Sequence, residues 1–189
     1  MLKQYDTENL ICSKFLDLME KKAFYKIKVK ELAEYAGMAR CTFYTYFDST
    51  YDVIQKLEDD FLFGLNQAVE ATYTCDNTDP ILEYFNPCFD YIKTNLRIFR
   101  ILSSPNGDAA FQSRLIKQSR KSIVRHLESH GYKIDGNISQ YNLTATYVAS
   151  GTFDAIKYWA NNEEKFSKQD IKRFFAESQN TVLKMFNTF

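Results

Sequence analysis

The sequence predicts an all-α protein with an N-terminal three-helix, helix-turn-helix unit over residues 1–48. A shared helix joins that unit to a larger helical domain over residues 49–189. Three observations carry this. Apolar residues recur at three- and four-residue spacing in segment after segment. Only six Gly and three Pro punctuate 189 residues, which implies long helices and short connections. Residues 28–47, KVKELAEYAGMARCTFYTYF, place a single glycine between two short apolar-patterned helices.

In chain order, the first helix is expected from Thr7 to Lys22, with Leu10, Ile11, Phe15, Leu18 and Met19 on one face. Phe24 and Ile27 would seal the small domain. Leu32, Ala33 and Ala36 give the next helix its apolar face, and the small Ala33 permits a close crossing. Gly37 ends that helix where the chain must turn without a Cβ clash. Met38 opens the turn, and Phe43 and Phe47 fall four apart on the following helix. Two short helices around one glycine form the unit whose second helix enters a DNA major groove. A plain helix pair in an all-α core is the competing reading, which the aromatic pair Tyr44 and Tyr46 on the remaining face disfavours.

Ser49 to Asp52, STYD, is a capping box. It starts a helix that carries Val53, Leu57, Phe61, Gly64, Leu65 and Ala68 inward and ends near Tyr73. After the polar link CDNTD, Pro80 takes a first helical position behind an Asp79 cap. That helix should reach about Leu102, with Pro87 kinking or interrupting it. SSPNGD, residues 103–108, reads as a loop. Another helix follows to His130, closed by Gly131, and KIDGN is a second loop. The last two helices are expected at Ser139–Asn162 and Ser167–Phe186, the latter opening on the capping box SKQD.

Lys+Arg and Asp+Glu number 24 each, so the whole chain is no generic polyanion binder. Locally, Lys21, Lys22, Lys26, Lys28 and Lys30 crowd into ten positions without an acidic residue and abut the helix-turn-helix. That run points to phosphate contact. Four cysteines without a CxxC pair argue against zinc, and free thiols point to a cytoplasmic protein. The N-terminus lacks the apolar run of a secretion signal, and no stretch approaches the ~20 apolar residues of a membrane span. His126 and His130 stand four apart in HLESH, but no glutamate follows the first, and no third ligand is evident. Neither a metal, a cofactor nor an enzymatic activity is expected.

On the second helix of the motif, Ala39, Arg40, Cys41, Thr42, Tyr44, Thr45 and Tyr46 project outward while Phe43 and Phe47 turn in. Arg40 can pair bidentately with guanine O6 and N7, and Cys41 and Thr45 can touch a thymine methyl. Thr42, Tyr44 and Tyr46 carry hydroxyls suited to phosphate oxygens. Lys28 and Lys30 flank the same groove. On the last two helices, Ala145, Ala149, Thr152 and Ile156, then Ile171, Phe174, Phe175, Ser178 and Val182, form stripes. These fit either a two-fold interface with a second chain or the interior of one chain.

The glycine-centred motif ending in TFYTYF closely resembles the TetR family of bacterial transcriptional regulators over about the first fifty-five residues. The likeness extends more weakly to the remainder through length and helical organisation. The resemblance implies a homodimer joined through its last two helices, a palindromic double-stranded DNA operator, and a small-molecule effector bound in the second domain. It assigns the outward residues above to DNA. Two positions depart from the family pattern. Lys28 stands where a small hydroxyl cap is usual, and Thr50 where a lysine usually opens the fourth helix. Phe61, Tyr84, Tyr91, Phe99, Phe111, Tyr147, Phe153 and Trp159 are the aromatic candidates for lining an effector pocket, each also a candidate for plain core. Two functions stay open: a repressor released by a small, mostly apolar or aromatic effector, and a DNA-binding protein controlled by a protein partner.

Overall fold

A computed structural model of the chain describes residues 2–71, 80–129, 138–167, 169–175 and 177–178. Its elements run α1 (Leu2–Met19), a 3-10 turn (Phe24–Lys26), α2 (Val29–Tyr35), α3 (Arg40–Tyr44), α4 (Thr50–Glu70) and α5 (Pro80–Thr94). They continue as α6 (Leu96–Leu102), α7 (Ala109–Ser129), α8 (Ile138–Ala160) and a second 3-10 turn (Glu163–Lys165). Residues 169–175 and 177–178 are helical, and no strand occurs among the described residues. The chain forms two compact units: Met1–Phe63 with Arg97–Gln112, and Gly64–Leu96 with Ser113–Phe189. α4 contributes to both.

Local chemistry explains the helix ends. After α2, Gly37 adopts φ +67°. Its N–H donates to the Glu34 carbonyl at 3.2 Å, and the Met38 N–H to the Ala33 carbonyl at 2.9 Å. This is a Schellman cap, whose left-handed residue disfavours any side chain with a Cβ. A Cβ at Gly37 would meet no atom within 4 Å, so the backbone angle alone demands glycine. Both capping boxes form. The Ser49 N–H and hydroxyl donate to Asp52 Oδ2 at 2.8 and 3.0 Å. The Ser167 N–H and hydroxyl donate to Asp170 Oδ2 at 3.0 and 2.7 Å.

The expected helix from Pro80 to Leu102 is two helices, and Pro87 is not where it breaks. α5 continues through Pro87 and ends at Thr94. At the end of α5, side chains compete for the last carbonyls. Asn95 donates to the Tyr91 carbonyl through both its N–H at 3.0 Å and its Nδ2 at 2.9 Å. The Thr94 hydroxyl takes the Asp90 carbonyl at 2.9 Å.

In the first unit, Phe15, Phe43, Phe99 and Phe111 are fully enclosed with Met19, Leu32 and Ile54. Phe61 stacks on Phe99 at 6.0 Å and meets Phe111 edge-on at 5.8 Å. Polar links fasten α6 and the loop after it to the end of α1. Arg97 spans Asp17 at 2.6 Å and Glu20 at 2.8 Å, and its hydrogen bond holds the Asp17 carboxyl below its usual range. Asn106 Nδ2 donates to the Met19 carbonyl at 2.8 Å, and the Phe24 N–H donates to the Asn106 carbonyl at 2.8 Å.

In the second unit, Trp159 packs on Phe89 at 4.6 Å, and Phe175 stacks on Phe85 at 5.5 Å with rings 10° apart. Gly64 lets the Tyr91 ring lie against the α4 backbone, since a Cβ there would come within 2.7 Å of Tyr91 Cζ.

The Gly37 geometry makes a stability prediction. Gly37→Ala should destabilise the protein by about 1–2 kcal/mol, and Gly37→Asn by clearly less, because asparagine tolerates the left-handed region. Thermal melts of the two variants against the parent measure the order.

Candidate DNA-binding interface

α3 has five residues and no side-chain N-cap bond, so its position is set by packing. Phe43 is fully buried and Phe47 nearly so, while Leu32 and Ala33 of α2 close the other side. With those turned in, Arg40, Cys41, Tyr44 and Thr45 are exposed, and Thr42 and Tyr46 are half-buried. Five of the seven residues expected to project outward, Ala39 included, are thus exposed. Tyr44 is held edge-on to Phe43 at 5.6 Å, which orients its phenol without enclosing it. The Thr45 hydroxyl donates to the Cys41 carbonyl at 3.1 Å. That bond occupies the hydroxyl proton and leaves the methyl as the end suited to an apolar contact.

The lysine run is not uniform. Lys22 reaches both carboxylate oxygens of Glu31, at 2.5 and 2.6 Å, and so ties the end of α1 to α2. Lys21, Lys26 and Lys28 are exposed. Lys30 is exposed too, and stands 3.9 Å from an equally exposed Glu34, a loose pair worth little in water. Lys28 occupies the N-cap position of α2 and makes no capping bond through its side chain. Thr50 donates its hydroxyl to the Ile27 carbonyl at 3.2 Å, which fastens the start of α4 to the segment just before α2. Sequence spacing could not reveal the Lys22–Glu31 and Thr50–Ile27 pairs, because their partners lie 9 and 23 residues apart.

An exposed recognition helix, seated by two buried phenylalanines behind a glycine cap, is the geometry of a DNA-reading helix-turn-helix. Residues 16–57 match the family described as "Bacterial regulatory proteins, tetR family", and residues 79–181 match "Transcriptional regulator C-terminal region". The chain belongs to the TetR family of transcriptional regulators. Solved structures of this fold are similar over nearly the whole length. A TetR-family regulator from Syntrophomonas wolfei shares 16% identity with TM-score 0.70, covering 94% of this chain and 95% of that one. NalD, the secondary repressor of the MexAB-OprM multidrug efflux pump in Pseudomonas aeruginosa, shares 16% with TM-score 0.67, covering 94% and 97%. The dihydroxyacetone kinase operon activator DhaS shares 19% with TM-score 0.59, covering 97% of each. No curated protein matches the sequence.

In this TetR-family chain the aromatic residues named as pocket candidates are split between the two units. Phe61, Phe99 and Phe111 belong to the first, where they pack on one another. Phe153 and Trp159 are buried in the second, Tyr91 is half-buried against Gly64, and Tyr147 is 66% exposed on α8. The Tyr84 side chain lies outside the described residues, as do the His126 side chain and His130. Among the described residues, no cluster of three His, Cys, Asp or Glu could hold a metal, and no helix is long and apolar enough to cross a membrane.

The stripes named for a dimer face also divide. Ala145, Ala149, Ile156, Ile171 and Phe175 are closed over by their own chain and have little surface to give a partner. Thr152 and Ser178 are half-buried, Phe174 is 51% exposed, and Val182 lies outside the described residues. The outward face of α8 is instead Leu143 (70% exposed), Tyr147, Gly151, Asp154 and Tyr158 (60%), at helical spacing. The periodicity of Ala145, Ala149 and Ile156 marked an apolar face correctly, but that face turns to the interior.

Thiol environments differ enough to test. Burial pushes the Cys12 thiol up to about 12, whereas Cys41 is exposed on α3. Iodoacetamide at pH 8 should therefore modify Cys41 in the native protein and Cys12 only after unfolding, as peptide mass spectrometry reads directly.

Proposed function

We propose that this TetR-family regulator is a cytoplasmic repressor that binds a palindromic operator as a homodimer and is released by a small, mostly apolar or aromatic effector. The observation that carries the DNA-binding part is the exposure of Arg40 on a helix whose inward residues are fully seated. Arg40 is the one long donor on that helix, suited to a guanine edge, and Lys28, Lys30, Thr42, Tyr44 and Tyr46 suit the phosphates beside it. Cys41 and the Thr45 methyl suit a thymine. Repression is the commoner sign in the family. Among the similar structures, NalD is a repressor and DhaS an activator.

Dimerisation is supported by the exposed face of α8. Leu143, Tyr147 and Tyr158, with Phe174 in helical residues 169–175, are exposed large apolar side chains. Gly151 lies on the same face, where an added Cβ would meet nothing within 4 Å. A second helix can approach closely there. Water-exposed apolar surface of this kind is covered in a stable assembly, and a second copy meets it symmetrically.

A second reading is favoured by one observation. In the first unit Phe61 packs on Phe99 and Phe111, and in the second Phe89 packs on Trp159, each as expected of a filled core. That fits a regulator without a small-molecule effector, controlled by a protein partner. Release of operator DNA by an added apolar compound, with only purified protein present, supports the effector reading. Release that requires an added protein supports the partner reading.

Arg40→Ala should lose roughly 1–3 kcal/mol of discrimination between operator and random duplex. Lys28→Ala should weaken binding to both alike. Competition binding separates these outcomes, and full discrimination retained by Arg40→Ala would displace α3 from its assigned role.

The dimer face predicts a different result. Leu143→Glu with Tyr147→Glu should give a monomer by light scattering that keeps its helical circular dichroism and loses operator affinity. A dimer that persists in this variant would place the interface elsewhere.

A further inference from the structure

We infer that Tyr25, Lys26 and Tyr51 form an outer grip for the DNA backbone, at the edge of the helix-turn-helix beside Lys28. The inference rests on the DNA-binding reading above and adds three residues to it. Tyr25 and Tyr51 are 70% and 49% exposed, although each is a large aromatic ring. They are joined through one half-buried ring. Phe24 meets Tyr25 edge-on at 5.7 Å and Tyr51 at 6.4 Å. Lys26 is exposed, with its Nζ 6.0 Å from the Tyr25 ring centre. The hydroxyl of Thr50 holds the carbonyl of Ile27 at 3.2 Å. Lys26 adjoins one member of that bonded pair, and Tyr51 adjoins the other. The 3-10 turn before α2 and the first turn of α4 therefore present these side chains together, next to exposed Lys28.

The chemistry of the patch selects an anion with several acceptor oxygens. No acidic residue lies between residues 21 and 30, and the following one, Glu31, is held by Lys22. Beside Tyr51, Asp52 accepts from the Ser49 N–H and hydroxyl, while Asp48 is exposed. Lys26 brings a charge, and the two phenols bring O–H donors on rings with only two rotatable bonds. A phosphodiester backbone offers such oxygens at regular intervals, and contacts of this kind fix register without reading sequence. Thr50 spends its hydroxyl on Ile27. Lys26 supplies a cation on the other side of that bond.

The test uses the full chain and a fluorescently labelled random-sequence duplex, with binding followed by anisotropy over a potassium chloride series. Lys26→Ala should make the slope of log affinity against log salt shallower by about 0.9 for each DNA-binding unit. Tyr25→Phe with Tyr51→Phe should weaken binding about threefold or more at every salt concentration, with the slope unchanged because a phenol carries no charge. Both variants should keep the parent's melting temperature and its operator-to-random ratio, whereas Arg40→Ala should lower that ratio. Parental affinity and slope in both variants would overturn the grip and leave DNA binding by α3 standing. A change confined to the operator would overturn it too, since these residues would then read bases. A parent chain without salt-dependent duplex binding would overturn the DNA-binding reading itself.

Discussion

The burial of Phe43 is the contact on which the rest of this protein depends. A helix of five residues is too short to persist alone in water, and α3 has no side chain capping its start. It exists because Phe43 is fully enclosed and Phe47 nearly so, and because the Gly37 cap delivers the chain to it at a fixed angle. Orientation follows from the same burial. With Phe43 inward, Arg40, Cys41, Tyr44 and Thr45 are left exposed.

The first unit reaches well beyond the helix-turn-helix. Arg97 and Asn106, distant in sequence, close onto the end of α1 through ion pairs and backbone hydrogen bonds. Phe99 and Phe111 complete its core beside Phe61. α6 from Arg97 onward and the loop after it are therefore structural parts of that first unit. α4 is fastened to that unit by Thr50 and continues into the second, where Gly64 receives the Tyr91 ring. Whatever shifts α4 must either carry the Thr50–Ile27 bond along or break it.

Features encoded over a few neighbouring residues were legible in the sequence. The Gly37 turn, both capping boxes and the inward turn of Phe43 and Phe47 all follow from local spacing. Features set by distant partners were not. Lys22 belongs to a lysine run that by sequence suits phosphate, yet it is tied to Glu31, and Arg97 pairs with Asp17 eighty residues away. The helix break at Asn95 was hidden because a proline nearby offered a louder signal. Periodicity found an apolar stripe on α8, yet α8 has two. The small Ala145, Ala149 stripe faces inward because close packing rewards small residues. The larger Leu143, Tyr147 and Tyr158 remain outside.

The most direct test of the central account is selection of bound duplexes from a random pool by the full-length protein. The account predicts one enriched palindrome, with half-sites whose centres lie about 34–36 Å apart or a multiple of it. An enriched site without two-fold symmetry, or no enrichment over the starting pool, would contradict it.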